Sequence, residues 1–305
     1  MMEVWEHALE SVRSRNPTVL ALVVDHQGSV PGTTGAAMVV SPLGCAGTVG
    51  GGTAEHAIIE RARSVAGGPE LIDIEHTPEA HGTLCSGRQT IALLSLAATD
   101  EGCLAAICDT LRAGRVGTLR LSSTGISFEA GTTAPQALVT EAPGFCFATV
   151  LGRLDTLTIV GGGHCALALS RVMATLPFRI VVLDDRPDLP TLAANSFADE
   201  VRTVGYPDLA AQVPEGDRSW VVVMTFGHAH DETALRTLAG HRLRYLGLLG
   251  SAAKVAALFA AMRADGVAAE FLASIHAPVG VPIGSHTPEE IAISIAAEII
   301  RERNA

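Results

Sequence analysis

No apolar run in the 305 residues approaches the ~20 consecutive positions that a membrane-crossing helix needs. The nearest candidate, IAISIAAEII close to the end, is interrupted by Ser294 and Glu298. Basic residues are scarce as well. Lysine and arginine total 21 against 32 aspartates and glutamates, a net charge of −11. That balance argues against nucleic acid or an anionic membrane surface as a partner, since both need clustered cations. None of the six cysteines (Cys45, Cys85, Cys103, Cys108, Cys146, Cys165) falls in a C-x-x-C pair, so neither structural zinc nor a disulfide framework has support. Most read instead as small apolar fillers in a reducing compartment, with Cys85 set apart. The first residues, MMEVWEHALESVRSR, carry acids where a secretory leader needs a basic and then an apolar stretch. The expected location is therefore cytoplasmic. Nucleophile elbow, Walker loop and H-E-x-x-H are all missing.

What is present is a well-packed globular composition, 48% hydrophobic and only 17% charged, in a chain long enough for about two domains. From Thr158 onward short β-branched runs (LTIV, FRIVVLDD, EVRTVG, WVVVMT, YLGLLG) alternate with helical stretches. This pattern predicts a parallel sheet covered on both faces. The final helix is announced by Thr287 as N-cap, Pro288 at the first helical position and Glu290 closing a capping box. Its Ile291, Ile295, Ile299 stripe is predicted to pack on the sheet. The first part is less regular. Strands in TVLALVVD, AAMVVS, CAGTVG, RQTIALLSLA, VGTLRLS and ISFEA, with a helix through Trp5 and Leu9 and another in TAEHAIIERARSV, predict a smaller α+β domain over residues 1–130. Residues 131–155, with Pro135, Pro143 and Gly144, read as a connector, and residues 156–305 as the α/β domain.

In LTIVGGGHCALALSRVM the glycines fall between a strand and a helix. Gly161, Gly163 and Ala166 fill G-x-G-x-x-G/A, the fingerprint of a Rossmann-like, doubly wound domain. The first glycine permits the tight turn, the second lets a phosphate approach the backbone, and the third small residue lets helix and strand pack closely. The helix start at His164 then offers free N–H groups and a positive dipole end. Asp184, 23 residues beyond Gly161 at the end of FRIVVL and followed by Asp185, stands where an acid would accept a ribose hydroxyl. A simpler account also stands, in which the glycines only seat the helix against the sheet.

Two further strand ends carry polar residues. Gly250 and Ser251, with Lys254 one turn into the next helix, form a second possible anion position; a solvated surface lysine is the alternative. His228, His230 and Asp231 follow WVVVMT, where doubly wound folds bind ligands. They suit a metal or a polar substrate, or merely a helix-capping loop.

The stretches GSVPGTTGAAMVV, GTVGGGTAEHAIIERA, LCSG, IVGGGHCALAL, VVLDDR, YLGLLGSAAK, IHAPVGVPIG and TPEEIAISIAAEII resemble, in this order, the XdhC/CoxI family of accessory proteins of xanthine dehydrogenase and related molybdenum hydroxylases. The resemblance is weakest between Asp100 and Thr156. It implies a protein that binds the molybdenum cofactor, as molybdopterin or its dinucleotide form. It also implies that the protein supports sulfuration of that cofactor by a cysteine desulfurase and delivers it to the apo-hydroxylase. A homodimer is implied too. The glycine turn would then hold the cofactor's phosphate without hydride chemistry.

The chain departs from the family pattern at three places. Thr53 follows Gly50–Gly52 where the family often has cysteine, which removes a thiol there. Cys85-Ser86-Gly87 stands for cysteine-glycine-glycine. Ala252 and Ala253 replace a frequent basic pair, which weakens the anion reading around Lys254. Cys85 is therefore the thiol candidate for a soft metal centre such as molybdenum, with Arg88 near enough in sequence to favour the thiolate; a buried free thiol is the alternative. Two other classes of function remain open at this point: an NAD(P)-dependent oxidoreductase, from the fingerprint and Asp184, and a nucleotide-sensing protein without chemistry.

Overall fold

The structure is a computed structural model that describes residues 2–62, 64, 68–76, 86–141 and 144–305. The chain divides into two compact units, Met1–Gly152 and Arg153–Ala305.

In the first unit, helix α1 (Met2–Arg13) leads to strand β1 (Thr18–Gly28), the centre of a five-stranded antiparallel sheet. Strands β2 (Ala37–Ser41) and β3 (Gly44–Gly47) lie on one side of it, and β5 (Gly87–Leu96) and β4 (Glu70–His76) on the other. The central position follows from the sequence of β1, which is apolar on both faces. Leu20, Leu22 and Val24 join the core beneath α1 and α3 (Glu101–Arg112), whereas Val19, Ala21 and Val23 pack with Ile58 of α2 (Gly52–Ala62). A second antiparallel sheet runs β7 (Gly125–Ala130), β6 (Gly117–Ser122), β9 (Gly144–Leu151), β8 (Ala137–Glu141). Its β8 and β9 lie within the stretch expected to be a connector. The prolines and glycine that suggested a link bound two short strands, and β9 places Phe145 and Phe147 in the core. Strand β4 had no strong sequence signal because its burial is only partial.

The glycine-rich loops of this unit close on one another. A side chain at Gly32 would collide with the Val49 carbonyl, and one at Gly50 with Pro31 and Gly32. Buried Gln89 ties both loops together, donating to the carbonyls of Gly32 and Val49 (3.1 Å for the latter). Glu55 accepts the amides of Gly51 (2.8 Å) and Val49 (3.2 Å) and the Thr48 hydroxyl. Partial burial alone would raise the Glu55 pKa. These bonds outweigh it and hold the carboxyl below its usual range.

The second unit is a five-stranded parallel sheet in the order β12 (Glu200–Thr203), β11 (Phe178–Asp184), β10 (Asp155–Val160), β13 (Gly216–Val223), β14 (Leu243–Leu248). This is a doubly wound order with its switch point between β10 and β13. Helices α4 (His164–Met173) and α9 (Pro288–Arg303) cover one face, where Leu157, Ile159, Trp220 and Ile295 share a core. Helices α6 (His228–Thr237), α7 (Ala252–Ala264) and α8 (Ala269–Ser274) cover the other, over Val160, Val221 and Leu246. A short helix α5 (Pro190–Ala193) lies between β11 and β12. The capping box at Thr287 and Glu290 forms as the sequence predicts.

Buried Glu298 explains part of the IHAPVGVPIG run. Its Oε2 accepts the Tyr245 hydroxyl at 2.7 Å and the Gly280 amide at 2.8 Å. Its Oε1 lies 3.1 Å from the Arg301 guanidinium. Gly280 (φ +103°) could not carry a side chain without striking Ser294 of α9. Glu298→Ala should therefore destabilise the chain by ~3 kcal/mol, since the buried Tyr245 hydroxyl and the half-buried Gly280 amide lose their acceptor. Glu298→Gln, which keeps one carbonyl oxygen, should cost less than half as much. Urea unfolding followed by near-UV circular dichroism measures both; equal, small losses would show the carboxylate is not the anchor.

Candidate functional site

Strand β10 ends in the Gly161–Gly163 turn, and the turn is fixed from several directions. The Gly161 amide donates to the Leu183 carbonyl at 2.7 Å, and Thr191 Oγ1 donates to the Gly162 carbonyl at 2.5 Å. Gly161 has φ +112°, and a side chain there would run into the Met224 carbonyl at the end of β13. At Gly162 a side chain would strike Leu192. These two glycines serve the fold. Gly163 differs: its φ is −73°, open to any residue, and nothing lies within 4 Å of where its Cβ would stand. It is the N-cap of α4 and supplies no capping side chain, so the first amides of the helix face outward without a protein oxygen from that residue. His164 is exposed at the helix start, and Ala166 is buried against the sheet.

A cavity of about 420 Å³ opens here, lined by Gly163, His164, Arg186, Pro190, Met224 and Phe226 among others. It lies beyond the carboxyl ends of β10, β11 and β13, at the switch point.

Asp184 has a different place from the one its spacing suggests. It is fully buried, and both its oxygens have partners. Oδ2 accepts the Gly162 amide at 2.6 Å and Arg186 Nη2 at 2.8 Å; Oδ1 accepts the Arg186 amide and its Nε, both at 2.9 Å. The carboxylate is thus closed off by Arg186 rather than presented to a ribose. Burial by itself would raise its pKa, but the Arg186 side chain and the two amides outweigh that and hold it below the usual carboxylate range. Asp185 is exposed beside Arg186, 3.7 Å from its Nε.

Lys254, the only lysine in the chain, also has a partner. Its Nζ is 2.5 Å from Oδ2 of fully buried Asp231. Asp231 Oδ1 in turn accepts the Thr225 amide (3.0 Å) and hydroxyl (2.6 Å). Ser251, following Gly250, caps α7 by accepting the Lys254 amide. The lysine therefore braces the loop after β13 and is not a free anion ligand. His228 is exposed at the start of α6, and His230 packs its ring 5.4 Å from that of Tyr206. Among the described residues no three His, Cys, Asp or Glu side chains are grouped to hold a metal. The two histidines accordingly gain no third ligand there.

Cys85 lies outside the described residues. The Ser86 carbonyl that follows it accepts the Ser29 amide at 3.1 Å, and Gly87 is pressed against Gln27. Arg88 is bound to Asp73 at 2.5 Å. Among the other thiols, burial pushes Cys103 up to about 11 and raises Cys108 and Cys165 as well. These three are poor thiolates at neutral pH.

Sequence reasoning passed over Phe226 and the role of Arg186. An arginine two residues beyond the strand-end acid was the available signal. No pattern marks a single exposed phenylalanine.

Because the folded pKa of Asp184 is depressed, its contribution is full above the unfolded value of about 3.9. It is lost as pH falls through the folded value. Asp184→Asn should be less stable than the parent by ~2 kcal/mol at pH 7, discounted for the partial exposure of Arg186. The gap should narrow and close as pH falls below the usual carboxylate range and through the depressed folded value. Urea midpoints across pH 2.5–7 test this; a gap that stays constant would mean that charge does not hold the turn.

The chain's residues 157–299 match the model of the XdhC Rossmann domain, and residues 11–75 match that of the XdhC and CoxI family. It is 26% identical to the uncharacterised protein YqeB of Escherichia coli, over 99% of this chain and 47% of that protein. To a probable xanthine dehydrogenase component of Bacillus subtilis it is 31% identical, over 48% of this chain and 42% of the relative. The chain thus spans about half the length of these curated relatives. A crystal structure described as a xanthine dehydrogenase from Bacillus halodurans shares the fold, with a TM-score of 0.75 at 23% identity, over 98% of this chain and 96% of that one. With both of its domain models matched in order along one chain, the protein belongs to the XdhC and CoxI family.

Proposed function

We propose that the chain is an accessory protein for maturation of a xanthine dehydrogenase-type molybdenum hydroxylase. Its cargo is the molybdenum cofactor, held by the phosphate at the Gly161–Gly163 turn and passed to the apo-hydroxylase. Sulfur reaches the cargo from a cysteine desulfurase, and the working form is a homodimer in the cytoplasm. Family membership and the xanthine dehydrogenase-related relatives support the client.

The observation that carries the cargo reading is Gly163. Its backbone needs no glycine and its Cβ position is empty, yet it borders the cavity at a helix start. Glycine there keeps space for something outside the protein, and the uncapped amides suit an anion. Binding of NAD(P) has less support, because the Asp184 carboxylate that would take the ribose is already filled by Arg186 and Gly162.

Gly163→Val tests the cradle without the usual confusion from misfolding. The side chain would enter open space, so the fold should survive with a loss of at most ~1 kcal/mol from the poorer cap. Pterin and molybdenum recovered with the purified protein, after co-expression with cofactor biosynthesis, should fall to background. Unchanged cofactor content in the folded variant would remove the site.

The thiol reading is tested by Cys85→Ser, with Cys165→Ser as control because Cys165 lies in the first turn of α4. Cys85→Ser should fold and assemble normally yet yield hydroxylase with little sulfurated cofactor, whereas Cys165→Ser should mature the client. Normal maturation by Cys85→Ser would remove the thiol from the interaction.

A further inference from the structure

Among the described residues Phe226 is the most exposed of the large hydrophobic side chains, at 71%. A lone exposed phenylalanine means little. This one borders the cavity that contains Gly163, and the Arg186 guanidinium lies over its ring, 5.4 Å from the centroid. It is also held in place. Immediately before it, Thr225 is bound through both amide and hydroxyl to Asp231, which Lys254 holds from the other side. Immediately after it, Gly227 (φ +98°) turns the chain and donates its amide back to the Thr225 carbonyl at 3.1 Å. An ion pair with a buried carboxylate and a half-buried lysine thus fixes a loop whose tip is an aromatic ring in water. Arg186 is fixed as firmly, through its bidentate bond to Asp184.

Leu189, Pro190 and Met224 add apolar lining between this pair and the glycine turn. The cavity volume, about 420 Å³, falls in the range of small-molecule sites. An apolar slot with an aromatic face and a guanidinium at one side suits a flat, electron-rich heterocycle. A helix start at the other side suits a phosphate.

We infer that Phe226, backed by Arg186, is a stacking platform for the planar heteroaromatic ring of a phosphate-bearing ligand. The inference rests on the phosphate reading of the Gly161–Gly163 turn. It adds the ring-binding half of the site and makes Asp231 and Lys254 positioning residues for that platform. Pterins and nucleobases share the required chemistry, a flat π-system joined to phosphate, so both belong in the test.

Isothermal titration of the full chain with neopterin monophosphate, AMP, CMP and inorganic pyrophosphate separates the parts. Phe226→Ala should weaken the preferred ring-bearing phosphate about tenfold to a hundredfold and leave pyrophosphate unchanged. Phe226→Trp should keep the affinity, and emission from the introduced indole should be quenched on binding. Preference for neopterin monophosphate over AMP and CMP identifies the ring as a pterin; the reverse identifies a nucleobase. If the parent binds pyrophosphate and the ring compounds but Phe226→Ala binds all of them as tightly, the platform is overturned while the phosphate reading stands. If the parent binds none of the four, both fall together.

Discussion

The buried carboxylate of Asp184 governs the shape of the C-terminal site. Its two oxygens tie the end of β11 and the Arg186 side chain that follows it to the middle of the glycine turn, 22 residues earlier in sequence. A carboxylate stripped of water is costly unless its lone pairs are filled, and here four donors fill them. The turn cannot relax without uncovering that charge. Nor can Arg186 swing toward a ligand without giving up two charge-assisted hydrogen bonds. What remains adjustable is the open side of Gly163, the one glycine of the turn that the fold does not require.

Asp231 repeats the same arrangement across the cavity. It too is fully buried, it fixes the loop after its strand, and it engages the nearest cation, Lys254. The two acids, one ending β11 and one in the first turn of α6 after β13, therefore act as internal anchors. In the N-terminal unit an uncharged residue does the equivalent work: Gln89 binds the carbonyls of two glycine loops. All three devices hold irregular backbone where a sheet ends, and regular ladders cannot satisfy its polar groups there.

The parallel sheet was legible because its inner strands β10, β11 and β13 carry apolar runs buried on both faces, and the final helix because Thr287, Pro288 and Glu290 act locally. Strands β8 and β9 were hidden by the prolines and glycine at their ends, which signal a break whether or not a sheet lies between. Gly161 and Ala166 could be read correctly, since their constraints come from neighbours close in sequence or in the βαβ unit. The functions of Asp184 and Lys254 could not. Spacing places a carboxylate at a strand end, but only the folded chain shows which donors reach it first. Arg186 two residues away and Gly162 across the strand win that competition. Phe226 was illegible for another reason: a single apolar residue in a loop has no periodicity, and its meaning comes from the cavity beside it.

These anchors bear on how a site of this kind would hold and release cargo. In a chain of net charge −11, Arg186 and Lys254 are each bound to an internal acid, so neither presents an unpaired charge to the cavity. On the proposed reading a phosphate would be held chiefly by the amides and dipole of α4, contributions of about 0.3–1 kcal/mol for the dipole and ~1 kcal/mol per hydrogen bond. Added to a stacked ring, these give a firm but not irreversible grip. An unpaired buried lysine or arginine would bind the same phosphate more tightly and release it more slowly, since affinity differences appear mainly in the off-rate. A carrier has the opposite requirement from an enzyme that keeps its cofactor: its hold must exceed that of solvent and fall short of that of its client. Neutral donors at a helix start, with the nearby cations already satisfied, meet that requirement.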